Sequence, residues 1–329
     1  MTDRTAPAPG TAPAPGNPLA APALALVPEG ALTPEGVPAV DGTSAPEDTP
    51  APEGTSAPAP APARACAPAL VRPSRPPAPA LVAVGHGSRD PRARETLALL
   101  LDRVRELRPS LDVRLAHVEL NAPLLADTLT ALGAEGGREA VLVPLLFGRG
   151  YHVKHDLPAA AGAAPAVRTR IAAPLGPHPL LVEALADRLA EAGWTPADSA
   201  SRSAAVVLAA AGSRDPESLA GIRRTAALLG ERLGGVPVVP AYASAATPTV
   251  PDAVRLLAAR GRHRVAVASC FTAPGLFATR TAAAAPWTAA APLGAHPALA
   301  RLVLHRYDRA LAAPAPAVLA ALPWELASA

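Results

Sequence analysis

Two histidines and a carboxylate recur at intervals of 33 residues, as His86, Glu119 and His152. Imidazole nitrogens and a carboxylate oxygen together suit borderline divalent ions such as Fe2+, Co2+ or Ni2+. Neutral imidazole is also the side chain best placed to accept protons near pH 7. A second copy of the surrounding sequence keeps the frame and drops all three. GHGSRDP (85–91) returns as AAGSRDP (210–216), an offset of 125, and His86 falls on Ala211. The same offset lays Asn-Ala-Pro (121–123) on Ala-Thr-Pro (246–248), Glu119 on Ser244 and His152 on Phe277. Ala-Pro-Leu-Gly-x-His-Pro occurs at 173–179 and again at 291–297. What both copies keep reads as architecture, and what one copy keeps reads as chemistry.

The elements that must position these groups follow from periodicity. ALVAVG (80–85) is a short apolar run closed by glycine, hence a buried strand. Asp90-Pro91 has the form of a helix start, with Asp as N-cap and Pro at the first helical position. Leu97, Leu100, Leu101, Val104 and Leu107 then share one face of a helix running to about Arg108. Further strands are expected at 112–120, 140–146 and 170–173, with helices from Pro123 to Leu132 and from His178 to Ala192. The second copy repeats this order. It has strands in VVLAA, VPVVPAYA and RVAVASC, and helices near 216–233, 249–260, 275–285 and 296–312.

Alternating strands and helices predict an α/β fold of two similar Rossmann-like domains with parallel sheets, 79–193 and 204–312, and a cleft between them. Ligands bind beyond the carboxyl ends of strands in such sheets. His86, Glu119 and the loop of His152 all fall there, so three strand ends deliver two imidazoles and an acid to one cleft.

Other residues have a plainer role beside a chemical one. Glu119 is an acid in an apolar strand, uncommon unless paired or functional; the plainer role is capping a helix. His155 stands three residues after His152 and could share a helical face with it, although an ordinary surface position is favoured. Arg89, Asp90 and Pro91 suggest an anion site at a helix start, but Arg214, Asp215 and Pro216 repeat them, so Asp90 and Pro91 read as structural. His178 is matched by His296 and reads as a helix-start residue; His117 reads as a packed strand residue. Lys154 is the chain's one lysine among 29 arginines. Phe147, Tyr151, Tyr242, Phe271 and Phe277 fall at strand ends. Core packing is the plain reading for Phe147 and Phe271, yet the set suits a flat apolar ligand.

Residues 1–78 are dominated by Ala, Pro, Gly, Ser and Thr and contain no aromatic residue. Such a stretch buries too little surface to offset its ordering, so a disordered, locally polyproline-II tail is expected, with a shorter tail at 313–329. Neither an export signal nor a membrane span is expected: Pro22 interrupts the one short apolar run, and nothing approaches the ~20 apolar residues a span needs. The chain has 30 basic and 27 acidic residues, with acids in excess in the tail. The remainder is moderately basic and spread out, which suits an anionic small ligand and argues against nucleic acid. Two cysteines, Cys66 and Cys270, exclude a disulfide framework or a Cys-based metal motif and point to a reducing cytoplasm.

A site that both holds a divalent metal and takes up protons fits insertion of a metal into a macrocycle, where each ion displaces two pyrrole N–H protons. GHGSRDP, the VELNAP segment and the LLFGRGYHVKHDLP loop resemble the sirohydrochlorin chelatase family, the class II chelatases of the long, two-domain kind. The resemblance covers about 80–312. It implies that His86 and His152 hold the metal, that Glu119 completes the catalytic set, and that the second half is a degenerate copy closing the cleft. The implied substrates are sirohydrochlorin, which bears eight carboxylates, and a divalent metal, with Fe2+ favoured over Co2+. No tightly bound cofactor is expected. Arg114, Arg149 and Lys154 are candidates for the substrate carboxylates, with Tyr151 as a further substrate contact. Internal duplication could replace the dimer a single-domain relative would need, so a monomer is the expectation. The competing readings are a tetrapyrrole or metal carrier without turnover, and phosphoryl transfer through His86. The latter wants an arginine before the histidine, where Gly85 stands.

Overall fold

The computed structural model describes residues 78–136 and 139–314. The expected tails lie outside the described residues, apart from residue 78 and residues 313–314. The first half runs β1 (Ala80–Gly85), α1 (Pro91–Leu107), β2 (Val113–His117), α2 (Leu125–Ala134), β3 (Glu139–Pro144), a π-helical turn (His152–Asp156), α3 (Leu157–Gly162), β4 (Arg168–Ile171) and α4 (Pro179–Glu191). A short α5 (Pro196–Ala200) leads to the second half: β5 (Ala204–Ala210), α6 (Pro216–Arg232), β6 (Val238–Tyr242), α7 (Val250–Ala258), β7 (Arg264–Ser269), α8 (Leu276–Ala283), β8 (Thr288–Ala289) and α9 (Pro297–Ala312).

Each half is a four-stranded parallel sheet, ordered β2-β1-β3-β4 and β6-β5-β7-β8. The α/β class and the parallel sheets are as the sequence implies. Strand alternation sorts the core into layers. Leu81 and Ala83 of β1 face a central core, while Ala80, Val82 and Val84 face an outer layer with α2 and Leu157. In β5, Val206 and Leu208 join that same central core, and Val207 and Ala209 pack outward with α7.

The central core is shared because the last helix of each repeat crosses over. Helix α4 packs on α6 and β7, and α9 packs on α1, β3 and β4. Leu181, Leu185 and Leu189 of α4 and Leu299 and Leu302 of α9 are fully or almost fully buried, each contributing roughly 2 kcal/mol by leaving water. Polar ties fix the exchange: the Tyr307 hydroxyl donates to the Pro79 carbonyl (2.6 Å), and Arg108 pairs with Asp308 (2.6 Å). His178 and His296 cap α4 and α9, each Nδ1 accepting the amide two residues on. Asp90 and Asp215 cap α1 and α6 in the same way.

Several boundaries differ from expectation. The second strand ends at His117, not at residue 120, because the chain turns at Leu120, whose φ is 66°. Helix α2 starts two residues after Pro123, whose carbonyl accepts the His117 amide (3.0 Å) and so is not free to open a helix. It also runs past Gly133 to Ala134. The fourth strand lies two residues early, and α5 and β8 are additions that periodicity does not disclose.

The turns after β1 and β5 require glycine. Gly87 has φ +110°, and a Cβ there would lie 1.9 Å from the Glu119 carbonyl oxygen; Gly212 repeats this against Ser244 at 1.8 Å. Gly261 also has positive φ, but nothing lies within 4 Å of a Cβ added there. Gly261→Ala should therefore cost only about 1–2 kcal/mol, the left-handed backbone term. Gly87→Ala should cost roughly 3 kcal/mol or more, because the backbone must also separate. Urea unfolding of both variants checks this, and equal losses would contradict it.

Candidate active site

A cavity of about 920 Å³ opens between the carboxyl ends of the two sheets. Its first-half wall includes His86, His117, Asn121 and His152, and its second-half wall includes Ala211, Tyr242, Ser244 and Phe277. The five strand-end aromatics, Phe147, Tyr151, Tyr242, Phe271 and Phe277, all line it. Phe147 and Phe271 also pack on the core behind.

His86 and His152 meet at the rim, ring centroids 4.6 Å apart and planes nearly perpendicular at 87°. His86 directly follows β1. The turn holding it is pinned to the turn after β2: the Glu119 amide donates to the His86 carbonyl (3.0 Å), and the Ser88 amide donates to Asn121 Oδ1 (2.7 Å). This brings a Glu119 carboxylate oxygen to 3.6 Å from His86 Nδ1. Glu119 is not embedded in a strand as expected; it stands two residues past β2, half exposed, behind His86 and outside the cavity lining.

His152 opens the π-helical turn. Its carbonyl accepts the Leu157 amide, and Pro158 has no amide to offer the carbonyl four residues back. In this turn His152 Nδ1 lies 2.6 Å from Asp156 Oδ2. Asp156 went unnoticed in the sequence, although an acid four residues after a candidate ligand was a usable signal. His152 thus has a carboxylate at hydrogen-bond distance from Nδ1, while Glu119 stands just beyond that distance from His86 Nδ1. At His152 this contact favours the tautomer with the proton on Nδ1, leaving Nε2 as the donor atom toward a metal or a proton. His155 does not join His152. Its ring stacks on Tyr151, centroids 4.7 Å apart. Among the described residues, no three His, Cys, Asp or Glu side chains by themselves make a closed metal site.

The structure separates the expected substrate cations from the cavity. Arg114 is bound by Asp112 (2.9 Å) and Glu135 (2.7 Å), and these carboxylates hold its guanidinium more firmly charged than usual. Lys154 reaches Asp215 at 2.6 Å and Glu217 at 3.0 Å, and Arg149 reaches Glu217 at 3.5 Å. None of the three lines the cavity, whereas Tyr151 does. Arg89 and Arg94 do line it, and among the described residues neither has an ion-pair partner. The repeat masked Arg89, whose counterpart Arg214 does not line the cavity; Arg94 faces Leu219 at the offset of 125, a difference between the copies that was a usable signal.

Two wall residues carry more than the sequence implied. His117 and Tyr242 occupy equivalent repeat positions at the ends of β2 and β6, buried in the cavity wall. His117 Nδ1 and the Tyr242 hydroxyl have no hydrogen-bond partner. Burial lowers the His117 pKa and keeps the ring neutral, and burial raises that of Tyr242. Cys270, also in the wall, has its thiol pushed up to about 12 by burial, so it offers no thiolate.

Comparison with known proteins bears on this arrangement. The model of the family described as CbiX matches residues 80–192 and 205–310. The sirohydrochlorin ferrochelatase of Bacillus subtilis is 30% identical over 177 residues, 53% of this chain and 66% of that protein. The sirohydrochlorin cobaltochelatase of Methanococcus aeolicus is 32% identical over 83 residues, 25% of this chain and 58% of that protein. The chain thus spans 58% to 66% of the length of these relatives. The structure described as SirB from Bacillus subtilis with Fe3+ shares the fold, with a TM-score of 0.58 and 24% identity over 70% of this chain and 94% of that one.

Proposed function

This chain belongs to the CbiX family, and from that premise we propose that it inserts a divalent metal ion into sirohydrochlorin. The observation that carries the reading is the His86–His152 pair at the rim of a 920 Å³ cavity, with Asp156 2.6 Å from His152 Nδ1 and Glu119 3.6 Å from His86 Nδ1. Two imidazole donors are too few to keep an ion permanently. The pyrrole nitrogens of a macrocycle complete the coordination as the ion moves from protein to ring. In the reaction the metal forms bonds to the ring nitrogens, two pyrrole N–H bonds break, and two protons leave.

His86 and His152 hold the incoming ion through Nε2. As the metal transfers to the ring, each Nε2 is released and becomes a proton acceptor. Glu119 and Asp156 are positioning residues that stabilise the resulting imidazolium through Nδ1. The aromatic side chains supply apolar faces for the ring plane. Arg89 and Arg94 are the cations we assign to its carboxylates, in place of Arg114, Arg149 and Lys154. Fe2+ is the metal we put forward, giving sirohaem. Imidazole and carboxylate donors accept Co2+ as readily, and the relatives carry both names.

An anaerobic assay of the purified chain with sirohydrochlorin and either Fe2+ or Co2+, followed by visible absorbance, tests the reading. Acceleration over the protein-free control should reach about 100-fold or more, the lower end of what positioned proton transfer contributes. Binding of the tetrapyrrole without acceleration would instead indicate a carrier, and faster insertion of Co2+ than of Fe2+ would move the assignment to a cobaltochelatase. In the same assay Arg94→Ala should raise KM for sirohydrochlorin roughly tenfold with little change in kcat, the pattern for a lost uniform binding contact. An unchanged KM would remove Arg94 from the substrate contacts.

A further inference from the structure

The second half lacks the catalytic groups, yet its α6 start differs from that of α1 in a way that acts on the first half. At the offset of 125, Asp90 corresponds to Asp215 and Arg92 to Glu217. In the first half, Asp90 caps α1 and its other oxygen is taken by Arg92 at 2.7 Å, a local pair. In the second half the arginine is replaced by an acid. Asp215 caps α6 through Oδ1, accepting the Glu217 amide at 2.9 Å, and its Oδ2 is left for a cation from elsewhere. That cation is Lys154, the chain's one lysine, at 2.6 Å, with Glu217 beside it at 3.0 Å. Glu217 also faces Arg149 at 3.5 Å.

Both cations flank His152, three residues before it and two after. The backbone between them is seated on the same helix start. A Cβ at Gly148 would lie 2.4 Å from Ser218 Oγ and 3.1 Å from Ser218 Cα, and one at Gly150 would lie 3.3 Å from Ser213 Oγ. The loop therefore meets the second half by close backbone contact and by charge, at the residues that bracket a candidate metal ligand.

We propose that Asp215 and Glu217 form an acidic clamp that grips Lys154 and Arg149 and so holds His152 at working distance from His86. The second half is then not only a lid. Its changed residue at 217 makes it the support for the one catalytic histidine that no strand end fixes. Lys154 and Arg149 act through the loop and are positioning residues, which is why they do not reach the cavity. Ion pairs of this exposure are individually weak, but two acids sharing two cations over a closely seated backbone act on a single short segment.

The proposal rests on the chelatase reading for its kinetic arm only; the exchange arm stands by itself. The test uses the full chain carrying Asp215→Asn and Glu217→Gln. Asparagine keeps the capping oxygen of α6, so the helix start is preserved while both charges go. Backbone amide hydrogen exchange, which reports local opening, should quicken about tenfold over residues 148–156 and stay unchanged in α6. Lys154→Met should reproduce that change and Lys154→Arg should reverse it. In the insertion assay, kcat should fall about tenfold in the Asn/Gln and Met variants, with KM for the tetrapyrrole near that of the unmodified chain. Exchange over 148–156 that is unchanged in both variants would overturn the clamp, as would faster exchange spread through α6. Unchanged kcat despite a loosened loop would overturn its catalytic role. If the unmodified chain shows no insertion, the chelatase reading fails while the exchange result still decides the clamp.

Discussion

A β-carbon on Gly87 would sit 1.9 Å from the Glu119 carbonyl oxygen, and that proximity sets the geometry of the rest of the site. With no side chain in the way, the turn after β1 lies directly on the turn after β2. The Glu119 amide can then reach the His86 carbonyl, the Asn121 side chain can receive the Ser88 amide, and the Glu119 carboxylate comes to rest near His86 Nδ1. Gly212 makes the same approach to residue 244, and Leu120 and Ala245 both turn through positive φ. Duplication preserved the backbone device in both halves. What differs is the side chains it presents: histidine and glutamate in one, alanine and serine in the other.

That difference explains why two similar halves are not interchangeable. The first offers His86, His152, Arg89 and Arg94 to the cavity, and the second answers with Tyr242, Phe271 and Phe277. The second half also contributes from outside the cavity, through the acids at the start of α6. Because α4 and α9 cross between the sheets and bury one common core, the two walls are held together by apolar packing. Ion pairs then need only to set the position of a loop.

Much of this was legible in the sequence, for physical reasons. Strand ends and helix starts announce themselves through apolar runs, glycine and Asp-Pro, so the topology and the meeting of His86 with His152 could be read from local pattern, while Glu119 came to rest behind His86 and outside the cavity lining. The exchange of α4 and α9 could not, since an apolar helix face does not say which sheet it covers. Arg149 and Lys154 misled because a cation near a site looks alike whether it awaits a ligand or an acid far along the chain. Only the fold brings Asp215 to Lys154. Asp156 was missed because its segment reads as a loop, where a spacing of four from His152 carries no weight until the chain is known to be helical there. His117 looks like a packed strand residue and Tyr242 like one more aromatic face, and only the fold shows their unpartnered polar atoms in the cavity wall.

The proposed function puts the chemistry in one half and the architecture in the other. The most direct measurement compares single-turnover metal insertion by His86→Ala and His152→Ala with insertion by Ser244→Ala and Phe277→Leu, at the equivalent positions of Glu119 and His152 in the second half. Losses of about 100-fold or more are expected for each histidine variant, in chains that still fold and still bind sirohydrochlorin. Rates within about threefold of the unmodified chain are expected for the second-half variants, which touch no reacting atom. Turnover retained in both histidine variants, or losses of equal size in the two halves, would contradict that division.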